Sequence, residues 1–237
     1  WRHDVIALLG VGYSPASFAA NMIHGALYFI PLYVVTMVVG LSWEVGFAIV
    51  RKLEVNEGFF VTGLLFPLIC PPETPLWQAA LAVSFAVVLG KEVFGGTGMN
   101  FMNPALVARA FLFFAYPASM SGDAVWTAMP AAATHDGFSG ATVLSQFRQM
   151  QPPTSHQDFP WLVAFGGLEP GGMGETSALA CLIGAVILIV TGIGSWRIMA
   201  GVALGTIGMA SLFNAIGSAT NPYFAVPFWW HMVAGGW

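Results

Sequence analysis

Charge is what this sequence has least of. Only 8% of its 237 residues are Asp, Glu, Lys or Arg, against 57% that are hydrophobic. A soluble domain carries about 25% charged residues, so there is too little here to cover a water-facing surface. The mean hydropathy of +0.76 agrees, and the chain reads as a multi-span integral membrane protein. Cysteine is nearly absent as well. Cys70 and Cys181 are the only two, too few for an iron–sulfur cluster or a zinc site within the chain. Both sit in apolar segments, where a small buried residue is expected.

Other absences narrow the function. No G-x-x-x-x-G-K-[ST] occurs, and Gly95-Gly96-Thr97-Gly98 does not fit G-x-G-x-x-G, so no NAD(P)H or ATP site is expected here. Those glycines still permit close approach by a second backbone or a ligand ring. There is no supported Ser-His-Asp order, no H-E-x-x-H and no metal-ligand cluster, and His24, His135, His156 and His231 are scattered. Hydrolysis is therefore disfavoured, and neither catalytic nor metal-binding residues are expected. The chain opens Trp1-Arg2-His3-Asp4, without a basic-then-apolar leader, and stops at Trp237 in apolar sequence. The expectation is a single membrane domain over 1–237, part of a longer chain with further spans on either side.

What is present is helical membrane sequence. The long apolar runs do not alternate, which argues against transmembrane strands. A spanning helix needs about 20 apolar residues. Met22 to Leu41, continuing towards Val50, meets that requirement, as do Ser177 to Ser195 and Ile198 to Ser218. Shorter runs lie between: Phe59 to Cys70, closed by Pro71-Pro72; Leu76 to Gly90, closed by Lys91; and Pro104 to Tyr116, opened by Asn-Pro. Runs this short suggest buried, broken or re-entrant helices, the usual pointer to a midplane site in transporter-like folds. Residues 117–176 form a polar insertion holding five acids and one base, Arg148. Cytoplasmic flanks carry Lys and Arg. Arg51-Lys52, Lys91 and Arg197 then mark the inner side, and 117–176 is expected outside. Trp43, Trp77, Trp196, Trp229 and Trp230 near segment ends read as interfacial anchors.

Ionisable groups in membrane segments are functional candidates by default. Glu44 and Arg109 lead, with Arg109 also able to pair with a carboxylate or a lipid phosphate; Glu57 and Glu92 follow. Asn103 stands where a helix begins and suits an N-cap. With Asn100, it also offers amides to a polar heterocycle in an apolar cavity. One polar island remains, "DGFSGAT" at 136–142. Read alone it is a turn before a helix. Chemically it is a slim loop whose threonine hydroxyl can form a phosphoester.

That island resembles the flavinylation motif D-x-x-[ST]-G-A-T. The run "GKEVFGGTGMNFMNPALVARAFLFFAYPASMSGDAVWTA" (90–128), with "VNEGFFVTG" (55–63) and "GETSALACLIGA" (174–185), closely resembles the NqrB family, membrane subunits of the sodium-translocating NADH:quinone reductase. The likeness covers nearly the whole chain; the flavinylation motif alone is shared with the RnfD subunit of the Rnf complex. The resemblance implies an all-helical membrane bundle built on an inverted repeat of urea-transporter type. It implies FMN joined through its phosphate to Thr142 by a periplasmic flavin transferase that recognises Asp136, Ser139, Gly140 and Ala141. It further implies a non-covalent riboflavin near Thr62, Asn100 and Asn103 on the cytoplasmic side, and ubiquinone near "VVGLSWEVGF", where Glu44 is the acid. Leu41 stands where the family usually has a second glycine, and a short insertion, "MPAAATH" (129–135), precedes the flavin motif.

The implied role is an electron relay in the bacterial inner membrane. NADH is oxidised elsewhere in the complex, electrons pass through FMN and riboflavin to ubiquinone, and Na+ moves. Implied partners are the other subunits, the flavin transferase, quinone, Na+ and membrane lipid; no nucleic acid is expected. Two rivals stay open: an Rnf-type subunit fed by ferredoxin, and a channel for a small polar solute that uses the broken helices without flavin.

Overall fold

A run of contacts spaced by four residues organises the first helix. Tyr28, Leu32, Thr36, Gly40 and Glu44 are its buried positions, and residues four apart share one helix face. Ile30, Val34, Val38, Val45 and Ile49 on its other faces are exposed. A helix apolar all round belongs in a membrane or a deep core. Helix α1, Phe18–Arg51, starts at Ser17, whose hydroxyl accepts from the Ala20 amide at 3.3 Å. It ends at Lys52, which adopts a left-handed conformation (φ 56°) and donates its N–H to the carbonyls of Ala48 and Ile49. That conformation is normally left to glycine and costs a side-chain-bearing residue roughly 1–2 kcal/mol.

The computed structural model describes residues 17–55, 57–120, 161–167, 172–174, 176–218 and 220–233. The chain divides into two units, Trp1–Phe138 and Ser139–Trp237. In the first unit, α1 is followed by α2 (Phe59–Leu68), α3 (Leu76–Gly90) with a 3-10 turn at Glu92–Phe94, α4 (Pro104–Ala115) and α5 (Pro117–Met120). α1 packs on α2 and α3, and α4 packs on α3 and α2. Small residues permit these approaches. α3 buries Ala79, Ala82, Val83, Ala86, Val87 and Gly90, the composition expected where membrane helices pack closely. A Cβ on Gly40 would stand 1.9 Å from Cζ of Phe59, and one on Gly63 would stand 2.3 Å from Sδ of Met37. Trp43 Nε1 donates to Ser84 Oγ at 2.9 Å, a polar tie between α1 and α3.

The second unit holds α6 (Trp161–Gly166), α7 (Ala178–Val190), α8 (Trp196–Ile216), a 3-10 turn at Pro222–Ala225 and α9 (Phe228–His231). Its buried cluster is Ala164, Ala178, Val226, Trp230 and Val233. Asn214 Nδ2 donates to the carbonyls of Phe224 (2.7 Å) and Val226 (2.9 Å), holding the 3-10 turn against α8.

The architecture is all-helical, with no strand among the described residues. Among the described residues, three helical segments are long and apolar enough to cross a membrane: Phe18–Arg51, Leu76–Phe94 and Trp196–Ile216. Several expectations need correction. Ser177 to Ser195 is not one long helix; α7 stops at Val190, where Gly192 (φ 73°) and the Gly194 N–H bond to the Leu188 carbonyl turn the chain. The run from Leu76 closes at Lys91 as expected, the helix ending at Gly90 with Lys91 as its C-cap, and a separate 3-10 turn follows to Phe94. Cys70 is buried as expected, but Cys181 is exposed on α7. Trp43, Trp77, Trp196 and Trp229 are exposed, whereas Trp230 is a core residue. The anticipated short helices at 59–70 and 104–116 are present as α2 and α4.

The Gly40–Phe59 contact generates a test. Gly40→Val should overpack the α1–α2 crossing and destabilise the protein by about 1–3 kcal/mol. Gly46→Ala, whose added Cβ meets nothing within 4 Å, should be neutral or slightly stabilising. Thermal unfolding of the two variants in detergent separates the cases; equal melting temperatures would contradict the packing.

Candidate functional site

Among the described residues of the first unit, two clefts use the segment just after α3. Lys91 closes α3 and donates to Glu44 Oε1; both side chains are 5% exposed. A buried carboxylate and ammonium are tolerated because each answers the other. One residue on, Glu92 meets Arg51 from the last turn of α1. Arg51 NH1 reaches Glu92 Oε2 at 2.8 Å, while NH2 donates to the Glu92 carbonyl at 2.6 Å. The guanidinium also lies 5.0 Å from the Phe47 ring centroid, within cation–π range. Arg51 and Lys91 therefore sit at one end of the unit.

The first cleft, about 200 Å³, is lined by Glu44, Phe47, Arg51, Glu54, Glu92, Gly96 and Thr97 among others. It mixes charge of both signs with one aromatic face. Gly95, Gly96 and Gly98 all have positive φ (119°, 93° and 90°), so the chain turns here in a way that side-chain-bearing residues resist. The sequence does not form a nucleotide loop; its glycines bring the backbone past the Glu92 carboxylate, which lies 3.5 Å from where a Gly96 Cβ would be.

A second pocket of about 330 Å³ brings together Thr62 from α2 and Asn100 and Asn103 from the loop before α4. Val61, Leu65, Phe101 and Met102 complete its apolar walls. Its size lies at the lower end for small-molecule sites, which are mostly apolar with few placed polar groups. The two amides are held differently. Asn103 Oδ1 accepts from the Ala105 amide at 2.9 Å, capping α4. That leaves Nδ2 as its donor for a ligand. Asn100 is turned on its own loop, accepting from the Gly98 N–H at 3.3 Å and donating to the Met102 carbonyl at 2.8 Å.

A sequence model described as the NQR2, RnfD, RnfE family matches residues 5–237. The chain belongs to that family. Among curated relatives of this family, the B subunits of the Na(+)-translocating NADH-quinone reductases from Yersinia pestis, Ectopseudomonas mendocina and Neisseria meningitidis are 55%, 57% and 54% identical. Each alignment covers 100% of this chain and 57–58% of the relative; the chain spans a little over half the length of those family members. With three membrane-length helices among its described residues, this family member is an integral membrane protein.

The structure thus brings Thr62, Asn100 and Asn103 together and sets Glu44 in a separate cleft. Arg109 is half-buried on α4 and lines neither cleft. Glu57 lies before α2, where its carbonyl accepts from the Phe60 amide, and it lines neither cleft. Thr142, Asp136, Ser139, Gly140 and Ala141 lie outside the described residues. In the sequence, Lys91 and Arg51 read only as markers of membrane side, and their roles as partners of Glu44 and Glu92 were missed. The signal was available, since an acid within an apolar helix calls for a cation.

Breaking the buried pair on one side should be severe. Lys91→Met strands Glu44 and is expected to cost about 3–5 kcal/mol, while the double change Glu44→Gln with Lys91→Met recovers most of it. Thermal unfolding of both variants checks this; a double variant no better than the single would show that the pair contributes nothing.

Proposed function

We propose that this chain is the flavin-bearing part of an NqrB-type subunit of a sodium-translocating NADH:quinone reductase in the bacterial inner membrane. The observation that carries the reading is the convergence of Thr62, Asn100 and Asn103 on one pocket walled in part by Val61, Leu65, Phe101 and Met102. The residues present fit a flat heteroaromatic ring with polar edges. Phe101, Met102, Val61 and Leu65 suit its faces, and the Thr62 hydroxyl and Asn103 Nδ2 suit its edges. Riboflavin is the group proposed there, and it supplies the electron-transfer chemistry when bound. The cap on α4 fixes the Asn103 amide plane, so its donor needs no reorganisation as electron density rises on the acceptor it touches. The relatives' printed names supply the context of NADH, quinone and sodium.

FMN is proposed on Thr142, attached by a flavin transferase that reads Asp136, Ser139, Gly140 and Ala141; this rests on the motif in the sequence. Attachment keeps the group at high local concentration. With Arg51, Lys52 and Lys91 cytoplasmic, both clefts open towards the cytoplasm and the 117–176 insertion is periplasmic. Glu44 and Phe47 in the charged cleft are proposed to meet the quinone head, with Lys91 holding the carboxylate in place. The other subunits would oxidise NADH, and Na+ and lipid complete the proposed partners. Arg109 is proposed as an intramembrane charge without a flavin or quinone role.

Co-expression with a flavin transferase tests the reading. Wild type should fluoresce in gel under ultraviolet, and Thr142→Ala should stay dark. A dark wild type with an unmodified Thr142 peptide would favour a solute channel instead. Asn103→Asp keeps the cap but replaces the amide donor with a carboxylate. Extracted riboflavin should fall several-fold in that variant at unchanged melting temperature, and full retention would remove Asn103 from the pocket's ligand contacts.

The double change Glu44→Gln with Lys91→Met removes the acid without stranding a buried charge. Steady-state quinone reduction should slow at least several-fold with flavin content intact. Unchanged kinetics would take Glu44 out of the quinone site.

A further inference from the structure

We infer that Arg51 is a positioning residue for the amide pocket: through Glu92 and Phe94 it holds the wall that carries Asn100 and Phe101. The inference rests on the flavin reading of that pocket, and Arg51 itself lines the other cleft. Three observations carry it. Arg51 grips one residue twice, at the Glu92 carboxylate (2.8 Å) and at its backbone carbonyl (2.6 Å). An ordinary exposed ion pair touches side chains only and contributes little; a contact to the carbonyl also fixes the backbone. The gripped carbonyl is the one that accepts from the Gly95 N–H at 3.0 Å, so the hold passes directly into the turn.

The turn then reaches the pocket through packing. Phe94, in the 3-10 turn, lies edge-on against Phe101 with centroids 4.8 Å apart, and Phe101 lines the pocket. The intervening backbone is soft, with three glycines at positive φ, and glycine loses more freedom on ordering than any other residue. Such a loop needs anchors at both ends. The Asn103 cap supplies one and the Arg51–Glu92 grip supplies the other. Lysine can replace this grip only in part, because a single ammonium lacks the planar fork that spans carboxylate and carbonyl together.

The test uses the full complex, flavinylated by its transferase, with riboflavin as the probe. Bound riboflavin per covalent FMN is measured by extraction, and the Kd by re-addition. Arg51→Gln should weaken riboflavin about tenfold, the loss expected from about one charge-assisted hydrogen bond, with covalent FMN at the wild-type level. Arg51→Lys should lie between. Phe94→Leu, which leaves every charge in place, should also weaken riboflavin, and it decides the matter if Arg51→Gln does not assemble. Asn103→Asp is run alongside. If Asn103→Asp loses riboflavin while Arg51→Gln and Phe94→Leu hold it as wild type does, the positioning role is overturned and the flavin reading stands. If all three retain it, the ligand is not in this pocket and both readings fall. A parallel loss of covalent FMN and complex yield would mean a general structural role and would equally overturn the proposal.

Discussion

The first unit depends on the buried pair between Lys91 and Glu44. Neither charge can be left alone among apolar helices without a cost of several kcal/mol. Together they fix the rotation of α3 against α1. Successive helical residues point about 100° apart, so a slip of one position would carry the ammonium away from its carboxylate. The same constraint decides where Glu92 falls and places it within reach of Arg51. From there the chain enters the glycine turn, and both clefts take their shape from that turn and the loop leading to α4.

One short stretch thereby serves two chemistries. Residues 92–97 contribute to the charged cleft, and residues 100–104 contribute to the amide pocket. The charged side offers ions of both signs and an aromatic face; the other offers fixed amides between apolar walls. Ligands with different demands can therefore be held a few residues apart on the same backbone, with the Phe94–Phe101 contact between them.

Much of this was legible in the residues. The long helices followed from uninterrupted apolar runs, and Asn103 announced its cap through Asn-Pro. The failures have local causes. Lys91 was legible as the stop of α3 but not as the partner of Glu44, which lies 47 positions away, beyond any windowed reading. Thr191 to Ser195 looked like membrane sequence, yet its glycines supply the turn that ends α7. Trp230 resembled an anchor like its neighbour Trp229, and only the fold of the second unit separates the buried ring from the exposed one. The grouping of Thr62 with the two asparagines came from resemblance, since no periodicity joins a residue of α2 to the distant loop before α4. Arg51 and Glu92 were visible as charges, but their double contact is a property of three-dimensional register.

The short helices have an electrical consequence. With 10 and 12 residues, α2 and α4 are about 15 and 18 Å long at 1.5 Å per residue, against about 30 Å of hydrocarbon. Where helices of this length end inside a bilayer, polar groups stand part-way into the insulating layer, and a membrane voltage drops over the thinner remainder. The local field is correspondingly steeper than the bilayer average. A charge crossing there does the same total work, about 2.3 kcal/mol per 100 mV, over a fraction of the path.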